Sequence, residues 1–188
     1  MNLQHSKNVL HHAVVIAFIF GFSFTLLAGR KAAPQTSTAA GADQEFAMKA
    51  ASGGMSEVKL GQLASERGSN PAVKEFGQRM VTDHSKANDE LKALAMHENI
   101  TLPSNPSRAD QATYDRLSKL SGKQFDEAYA SLMVTDHEQD IAEFQKESAS
   151  GQNDSLKSFA GKTLPTLESH LTEAKEMLKS VQSASNTQ

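Results

Sequence analysis

Apolar residues recur at three- and four-residue steps along four long stretches of this chain, the spacing of one face of an α-helix. In the second stretch, for example, Val73, Phe76, Met80, Leu91 and Leu94 share such a face. Few segments alternate with the two-residue period of a β-strand. The pattern therefore predicts four long amphipathic helices and essentially no sheet. The helices are expected at residues 44–67, 71–98, 123–149 and 154–181.

The connections between these helices are of two kinds. Two are tight: Asn70 and Pro71 are suited to the cap and first turn of the second helix, and residues 150–153 form a short polar turn. The connection between the second and third long helices is much longer and contains Pro103 and Pro106. A connection of this length allows a crossover, so these two helices need not be antiparallel neighbours.

Within the long connection, Ser107 is placed to cap a short helix over about residues 108–120. We therefore predict an all-α four-helix bundle over residues 44–182, with one long crossover that carries a short extra helix. The polar residues 183–188 are expected to form a disordered tail.

An uncharged, apolar run at residues 13–29 precedes this domain. It is short for a membrane span, which needs about 20 residues, and suits a secretory signal peptide. Arg30 and Lys31 follow the run at once, however, and no clean cleavage site lies beside it. Residues 1–31 are thus a signal peptide or a retained membrane anchor, and either places the domain in the periplasm or cell envelope. Residues 32–43 are small and polar, as in a linker.

Composition and charge exclude several functions. The chain has no cysteine, which rules out disulfides, thiolate metal sites and thiol catalysis. All 22 acidic residues lie at or after Asp43, and no basic stripe with interleaved aromatic residues is present, so nucleic acid is not an expected partner. There is no triad order, phosphate loop or dinucleotide fingerprint, and hence no assigned catalytic residue or organic cofactor.

One five-residue segment, Met-Val-Thr-Asp-His, occurs twice, at residues 80–84 and 133–137. Each copy puts its histidine in the apolar stripe of a long predicted helix. Glu57 and His170 occupy corresponding positions in the other two long helices, so each stripe contains one polar residue. All four lie near the middle of their helices, where height in a bundle does not depend on helix direction. We therefore expect Glu57, His84, His137 and His170 to meet in one layer.

Three imidazoles and one carboxylate in a dry core match a transition-metal ligand set, and zinc or iron suits its nitrogen-rich character. Asp140 and Glu173 lie three residues after His137 and His170, as possible additional ligands or acceptors for ring N–H groups. Met80 and Met133 are expected to fill the core. A His/Met pair in an exported protein could instead hold copper(I), a weaker alternative.

A metal-free polar network is the alternative hypothesis. Glu57 could form a buried ion pair with a protonated histidine, in a polar network that serves a structural or stress-related envelope protein. Asp83 and Asp136 point about 100° away from their histidines, so we expect them to be solvated or paired at the helix flank rather than bonded to the ligands. Tyr129 is expected to be a core residue.

Four segments give a family resemblance: FAMKAASGGMSEVKLGQLA, VKEFGQRMVTDH, FDEAYASLMVTDHEQDI and LKSFAGKTLPTLESH. In this order and spacing they resemble the exported bacterial family called domain of unknown function 4142, over nearly all of residues 44–180. The resemblance implies a ferritin-like four-helix bundle with one long crossover, and it supports export. It also suggests Glu57, His84, His137 and His170 as a recurrent polar core.

The sequence departs from the di-iron ferritins in its carboxylates. Those bundles use Glu-x-x-His pairs, whereas Val81, Val134 and Leu167 stand three residues before the histidines here. Without a carboxylate-rich shell, ferroxidase or oxygenase activity is not expected. We therefore predict that the bundle binds one metal ion for structure, sensing or sequestration. An enzyme of the di-iron type is the third and least favoured hypothesis.

Overall fold

The computed structural model describes residues 37–185, with side chains for 41–183. It contains five helices there: α1 (Ser37–Arg67), α2 (Pro71–Glu98), α3 (Arg108–Leu117), α4 (Gly122–Ser150) and α5 (Asp154–Ser185). These described residues include no strand. The all-α bundle with a short extra helix in its crossover is thus confirmed. The predicted signal or anchor, residues 1–31, lies outside the described part, in which no helix is long and apolar enough to span a membrane.

The residues predicted to cap the starts of helices do so in the structure. The Asn70 side chain accepts a hydrogen bond from the backbone N–H of Ala72, and Pro71 opens α2. Ser107 and Asp110 form a reciprocal capping box at the start of α3, in which each side chain binds the other residue's backbone N–H. These caps satisfy backbone groups that the first turn of a helix leaves without partners.

The outer bounds of the bundle differ from the prediction. Helix α1 begins at Ser37, before the predicted Gln44, so part of the segment predicted as a linker is helical. Asp43 in this added part is buried and accepts hydrogen bonds from the backbone N–H groups of Gln152 and Asn153. This tertiary contact outweighs the loop-like composition. Helix α5 likewise extends into the predicted tail, as far as Ser185.

The two tight turns are fastened in the same manner. Asp43 of α1 holds the turn between α4 and α5, and Asp126 of α4 holds the turn between α1 and α2, through the backbone N–H groups of Ser69 and Asn70. Both aspartates are buried. Each hairpin therefore closes the turn of the other one with a carboxylate.

Helices α1 and α2 approach closely where Gly61 faces Gly77. A Cβ atom added to either glycine would lie 2.6 Å from the backbone oxygen of the other. Only a residue without a side chain fits at such a contact. The close approach brings the middle of α1, including Glu57, against α2.

Two hydrophobic clusters fill the bundle, one on each side of the four central polar residues. The first cluster contains Phe76, Met80, Phe125 and Met133, and the second contains Phe46, Leu91, Phe144 and Leu167. The first cluster precedes the histidine in α2 and α4 but follows the polar residue in α1 and α5. Helices α2 and α4 are therefore parallel to each other.

Because α2 and α4 are parallel, the chain between them has to return along the length of the bundle. A helix of 28 residues such as α2 is about 42 Å long. Helix α3 lies in this return connection and packs against α1 and α4. The hydrogen bond from the Ser52 hydroxyl to Asp110, 2.7 Å long, fastens it to α1. The crossover thus covers the side of the bundle on which Glu57 lies.

Candidate metal centre

Glu57, His84, His137 and His170 meet between the two hydrophobic clusters. Glu57 is 4% exposed and His84 7%, while His137 and His170 are fully buried. Each of the three histidines offers a ring nitrogen within 4.8 Å of the other two. A carboxylate oxygen of Glu57 lies 2.8 Å from Nε2 of His84, and the other lies 3.6 Å from Nδ1 of His137. The structure therefore places all four residues in the single layer that their depth in the helices predicts.

Hydrogen bonds fix which nitrogen of His137 and of His170 carries a proton. Nδ1 of His137 lies 2.9 Å from the carbonyl oxygen of Met133, which can only accept, so this nitrogen is the N–H donor. Nε2 of His170 lies 2.8 Å from the carboxylate of Asp83 and is likewise the donor. In the neutral rings, the remaining nitrogens, Nε2 of His137 and Nδ1 of His170, are bare.

These two bare nitrogens face each other at 3.3 Å. Burial, the main cause, lowers the pKa of His137 below its usual value and that of His170 to about 4, so both rings are neutral near pH 7. Two lone pairs at this distance repel unless a cation lies between them. Two nitrogens bound to one tetrahedral zinc ion, at about 2.0–2.1 Å each, stand about 3.3–3.4 Å apart. The spacing of His137 and His170 fits such an ion.

Glu57 and His84 complete the set with buried atoms that lack hydrogen bonds. Neither carboxylate oxygen of Glu57 has a hydrogen-bond partner among the described residues, and the same holds for Nε2 of His84. Their mutual 2.8 Å approach therefore does not have the geometry of a hydrogen bond. Buried polar atoms rarely lack a hydrogen-bond partner, and a bound ion would supply the missing interaction.

The charges of Glu57 and the three histidines indicate that the central layer needs an additional positive charge. Burial favours the neutral acid of Glu57, but the positive charges that the imidazoles carry when protonated at low pH, that of His84 first, outweigh burial and hold the pKa of this carboxyl at about 2. The carboxylate is thus ionised, whereas His137 and His170 are neutral near pH 7. A buried carboxylate needs a compensating charge. A metal ion, or a proton shared among the imidazoles, would supply it.

The sequence does not show that Asp83 accepts a hydrogen bond from a histidine of the central layer. Its carboxylate accepts the hydrogen bond from Nε2 of His170 and also pairs with Arg79 at 3.2 Å. It is thus paired at the helix flank, as expected, but it also orients a histidine. Burial opposes its ionisation, and the contacts with His170 and Arg79 outweigh this and lower the pKa of Asp83. The usable sequence signal was Arg79, one helical turn before Asp83.

Asp140 and Glu173 lie outside the layer. The carboxylate of Glu173 binds Arg79 instead of an imidazole. Asp140 has no hydrogen bond or ion pair within the described part of the chain, and it lines a cleft beside Glu57 together with Asp136. The acceptors of the ring N–H groups are instead the Asp83 carboxylate and the Met133 carbonyl. The second copy's aspartate, Asp136, does not contact a histidine of the layer through any hydrogen bond.

The other core residues near the layer pack as hydrophobic side chains. Met80 and Met133 are fully buried in the first cluster. Tyr129 stacks on Phe125 with ring centroids 5.8 Å apart. Its buried hydroxyl has no hydrogen-bond partner among the described residues. Burial, followed by the charge of Glu57, raises the pKa of Tyr129 well above its usual value, so the hydroxyl stays protonated.

Comparison with known proteins agrees with this architecture. The sequence profile of the family described as "Domain of unknown function (DUF4142)" matches residues 28–177. No curated protein matches the chain. Among solved structures, the chain is similar to a crystal structure of a DUF305 fragment from Deinococcus radiodurans, with a TM-score of 0.65 and 13% sequence identity. The match covers 73% of this chain and 95% of that one, and at this identity it shows the fold alone. On the profile match, which spans most of the sequence, the chain belongs to the DUF4142 family.

Proposed function

We propose that this protein binds one divalent transition-metal ion at the centre of its bundle, through His84, His137, His170 and Glu57. The observation that carries the proposal is the pair of bare, neutral imidazole nitrogens that face each other at 3.3 Å in a dry core. The carboxylate of Glu57 and Nε2 of His84, which lack hydrogen-bond partners among the described residues, supply the third and fourth donors.

The surroundings of the four side chains have the features of a metal site. Metal-bound histidines usually donate their second N–H to a carboxylate or a backbone carbonyl, which fixes the ring. His170 does so to Asp83, and His137 does so to the Met133 carbonyl. The hydrophobic clusters on both sides keep the rings in place and exclude water.

The donor set favours zinc or iron(II), since imidazole and carboxylate suit both. Four protein donors and a closed, buried position are typical of a structural or storage site more than of a catalytic one, which keeps an open position. Leu167 lies in the second hydrophobic cluster at the position where a di-iron protein would have a glutamate. This favours a single ion over a di-iron centre. We further propose that the site operates outside the cytoplasm, on the basis of the uncharged run at residues 13–29.

Elemental analysis of the full-length protein, purified without a histidine tag, tests the metal directly. We expect about one zinc or iron per chain in the wild type and none in a His84→Ala/His137→Ala variant. His97→Ala is the matched control, because this histidine also lies in α2 but its side chain is 85% exposed. A folded wild type that neither contains metal nor takes up added zinc, iron or copper would refute the proposal.

A metal-free network is the second candidate, and the same 3.3 Å contact supports it. An additional proton between Nε2 of His137 and Nδ1 of His170 would convert one ring to an imidazolium and make this contact an N–H···N hydrogen bond. Thermal unfolding distinguishes the two functions. A metal site predicts a Tm that falls on adding a chelator and recovers with added ion, whereas the network predicts a Tm indifferent to chelator.

A further inference from the structure

An acidic cleft of about 440 Å³ opens beside the central layer, between α1, α4 and the loop that leads into α3. Six acidic residues line it, and Lys49 is its one cationic lining side chain. Three of its acidic groups have partners: Asp110 accepts hydrogen bonds from Ser52 and Ser107, while Glu45 and Glu143 pair with Lys49. The remaining carboxylates of the cleft are those of Glu57, Asp136 and Asp140.

Asp136 and Asp140 stand one helical turn apart on α4, and their carboxylates have no hydrogen bond or ion pair with any described residue. Lys49, the one cationic side chain of the lining, pairs with Glu45 and Glu143 instead. Asp136 and Asp140 therefore line the cleft without a cationic partner, and their oxygens are the type of donor that a divalent cation prefers.

Glu57 connects this cleft to the histidines. It is 4% exposed, its oxygens have no hydrogen-bond partner in the described part of the chain, and it lines the cleft from the inside. A smaller cavity of about 30 Å³ lies further in and reaches His84. Gly53, Glu57 and Asp140 line both spaces, so these three residues stand at the junction between them.

Gly53 leaves the junction open. A Cβ atom added there would meet no atom within 4 Å. The opposite holds for Gly61 and Gly77, where an added Cβ would clash with backbone. The glycine at position 53 is thus not required by helix packing, and its effect is to leave free space beside Glu57 and Asp140.

We propose that this cleft is the access route by which a divalent cation reaches the central site. Asp136 and Asp140 capture the hydrated ion at the surface, and Glu57 receives it at the junction and passes it to His84 and its partners. This inference rests on the proposed function, since it describes how the same site is filled. Carboxylate oxygens suit this task because they bind hydrated divalent ions and exchange them readily.

An access route controls the rate of binding, so its test is kinetic. Charges outside a binding site act mainly on the association rate and its salt dependence. We expect Asp136→Asn/Asp140→Asn to slow zinc association at low salt by about tenfold or more and to flatten its salt dependence. The final occupancy should remain one ion per chain. Stopped-flow mixing of metal-free protein with zinc held by a coloured chelator measures the rate.

Glu66→Gln/Glu176→Gln is the control for total charge, because it also removes two carboxylates but neither lines the cleft. It should leave the rate near that of the wild type. Equal slowing by both double variants would show that overall charge, not the cleft, sets the rate, and would overturn the inference. So would unchanged association in Asp136→Asn/Asp140→Asn.

A second variant obstructs the junction without altering any charge. Gly53→Leu should slow association and dissociation by the same factor and leave the affinity unchanged, because a barrier on the path raises only the transition state. Gly41→Leu is the matched control, since Gly41 also lies in α1 with open space beside it but lines neither space. Wild-type rates in Gly53→Leu would overturn the route.

The two proposals fail in distinguishable ways. If the wild type binds no metal at equilibrium, the central site itself is refuted. If the wild type binds one ion, and either the double aspartate variant or Gly53→Leu loads at the wild-type rate, only the access route is refuted.

Discussion

Asp83 and Asp136 occupy the same place in two identical five-residue segments, and each immediately precedes a histidine of the central layer. Asp83 faces α5, where it accepts a hydrogen bond from His170 and pairs with Arg79. Asp136 faces the cleft, near Glu57 and Asp110, with no cation beside it. The pKa of Asp83 is accordingly lowered by its partners, whereas burial and like charges raise that of Asp136 to about 7.

The difference arises outside the repeated segment. Arg79 precedes the first copy, and Leu132 stands at the matching position before the second. The two helices also differ in their place in the bundle, because α2 ends a hairpin and α4 begins one. The comparison teaches that the repeated residues fix the position of the histidine, while the neighbours decide whether the aspartate orients a ligand or faces an open cleft.

The histidines are the part in which the two copies should behave alike. We expect His84→Ala and His137→Ala each to weaken zinc binding by more than about 100-fold, since loss of even an indirect partner costs about 10–100-fold. Calorimetric titration of the metal-free protein measures this, with His97→Ala as the control. Wild-type affinity in either variant would contradict the symmetric role of the two copies.

The aspartates are the part in which the copies should differ. Asp83→Asn removes the charge that orients His170, and we expect it to weaken zinc binding by about 10–100-fold at equilibrium. Asp136→Asn should change the equilibrium affinity much less, because this side chain contacts no ligand. Zinc titration of the two single variants side by side measures the difference in affinity. Equal losses of affinity in both would contradict the different roles of the two aspartates.

Arg79→Leu gives the first copy the neighbour that the second copy has. Asp83 and Glu173 would both lose their cation. Because the arginine side chain is 38% exposed, we expect a loss of only about 0.5–1 kcal/mol in the free energy of unfolding. Urea denaturation measures it against Lys74→Leu, an exposed control on the same helix. A stability equal to that of the control would show that Arg79 does not set the first copy apart.

The smallest expected effect is a gain in thermal stability. In the metal-free protein, Asp136→Asn removes a carboxylate that is repelled by Glu57 and has no cation partner. We expect its Tm at neutral pH to rise by about 1 °C, equivalent to about 0.3 kcal/mol in a chain of this size. Asp83→Asn should instead lower the Tm. A fall in Tm for Asp136→Asn would mean that Asp136 has a stabilising contact after all.

The fold and the central layer could be predicted because both depend on periodicity. Each of Glu57, His84, His137 and His170 replaces an apolar residue in a helical stripe, and mid-helix positions meet whatever the direction of the helices. The capping residues Asn70 and Ser107 likewise act locally, within one turn of the chain. Such features can be predicted from the local sequence without knowledge of tertiary contacts.

The partners of the layer could not be predicted because they depend on helix rotation and on distant contacts. A residue such as Asp83, on the flank of its stripe, meets whatever helix lies there, and periodicity does not show that this helix is α5. The path of the crossover, which places Asp110 beside Ser52, is equally non-local. Asp43 falls in the predicted linker because its contact with Gln152 and Asn153 is more than 100 residues away along the chain, which local composition does not show.

The exchange of aspartates between the two hairpins has a consequence for folding. The α1–α2 turn needs Asp126 from α4, and the α4–α5 turn needs Asp43 from α1. A hairpin that forms alone therefore leaves the N–H groups of its turn open to solvent, and docking completes both turns together. We therefore expect the two halves to unfold as one cooperative unit, in which the amides of both turns exchange their hydrogens when the hairpins separate.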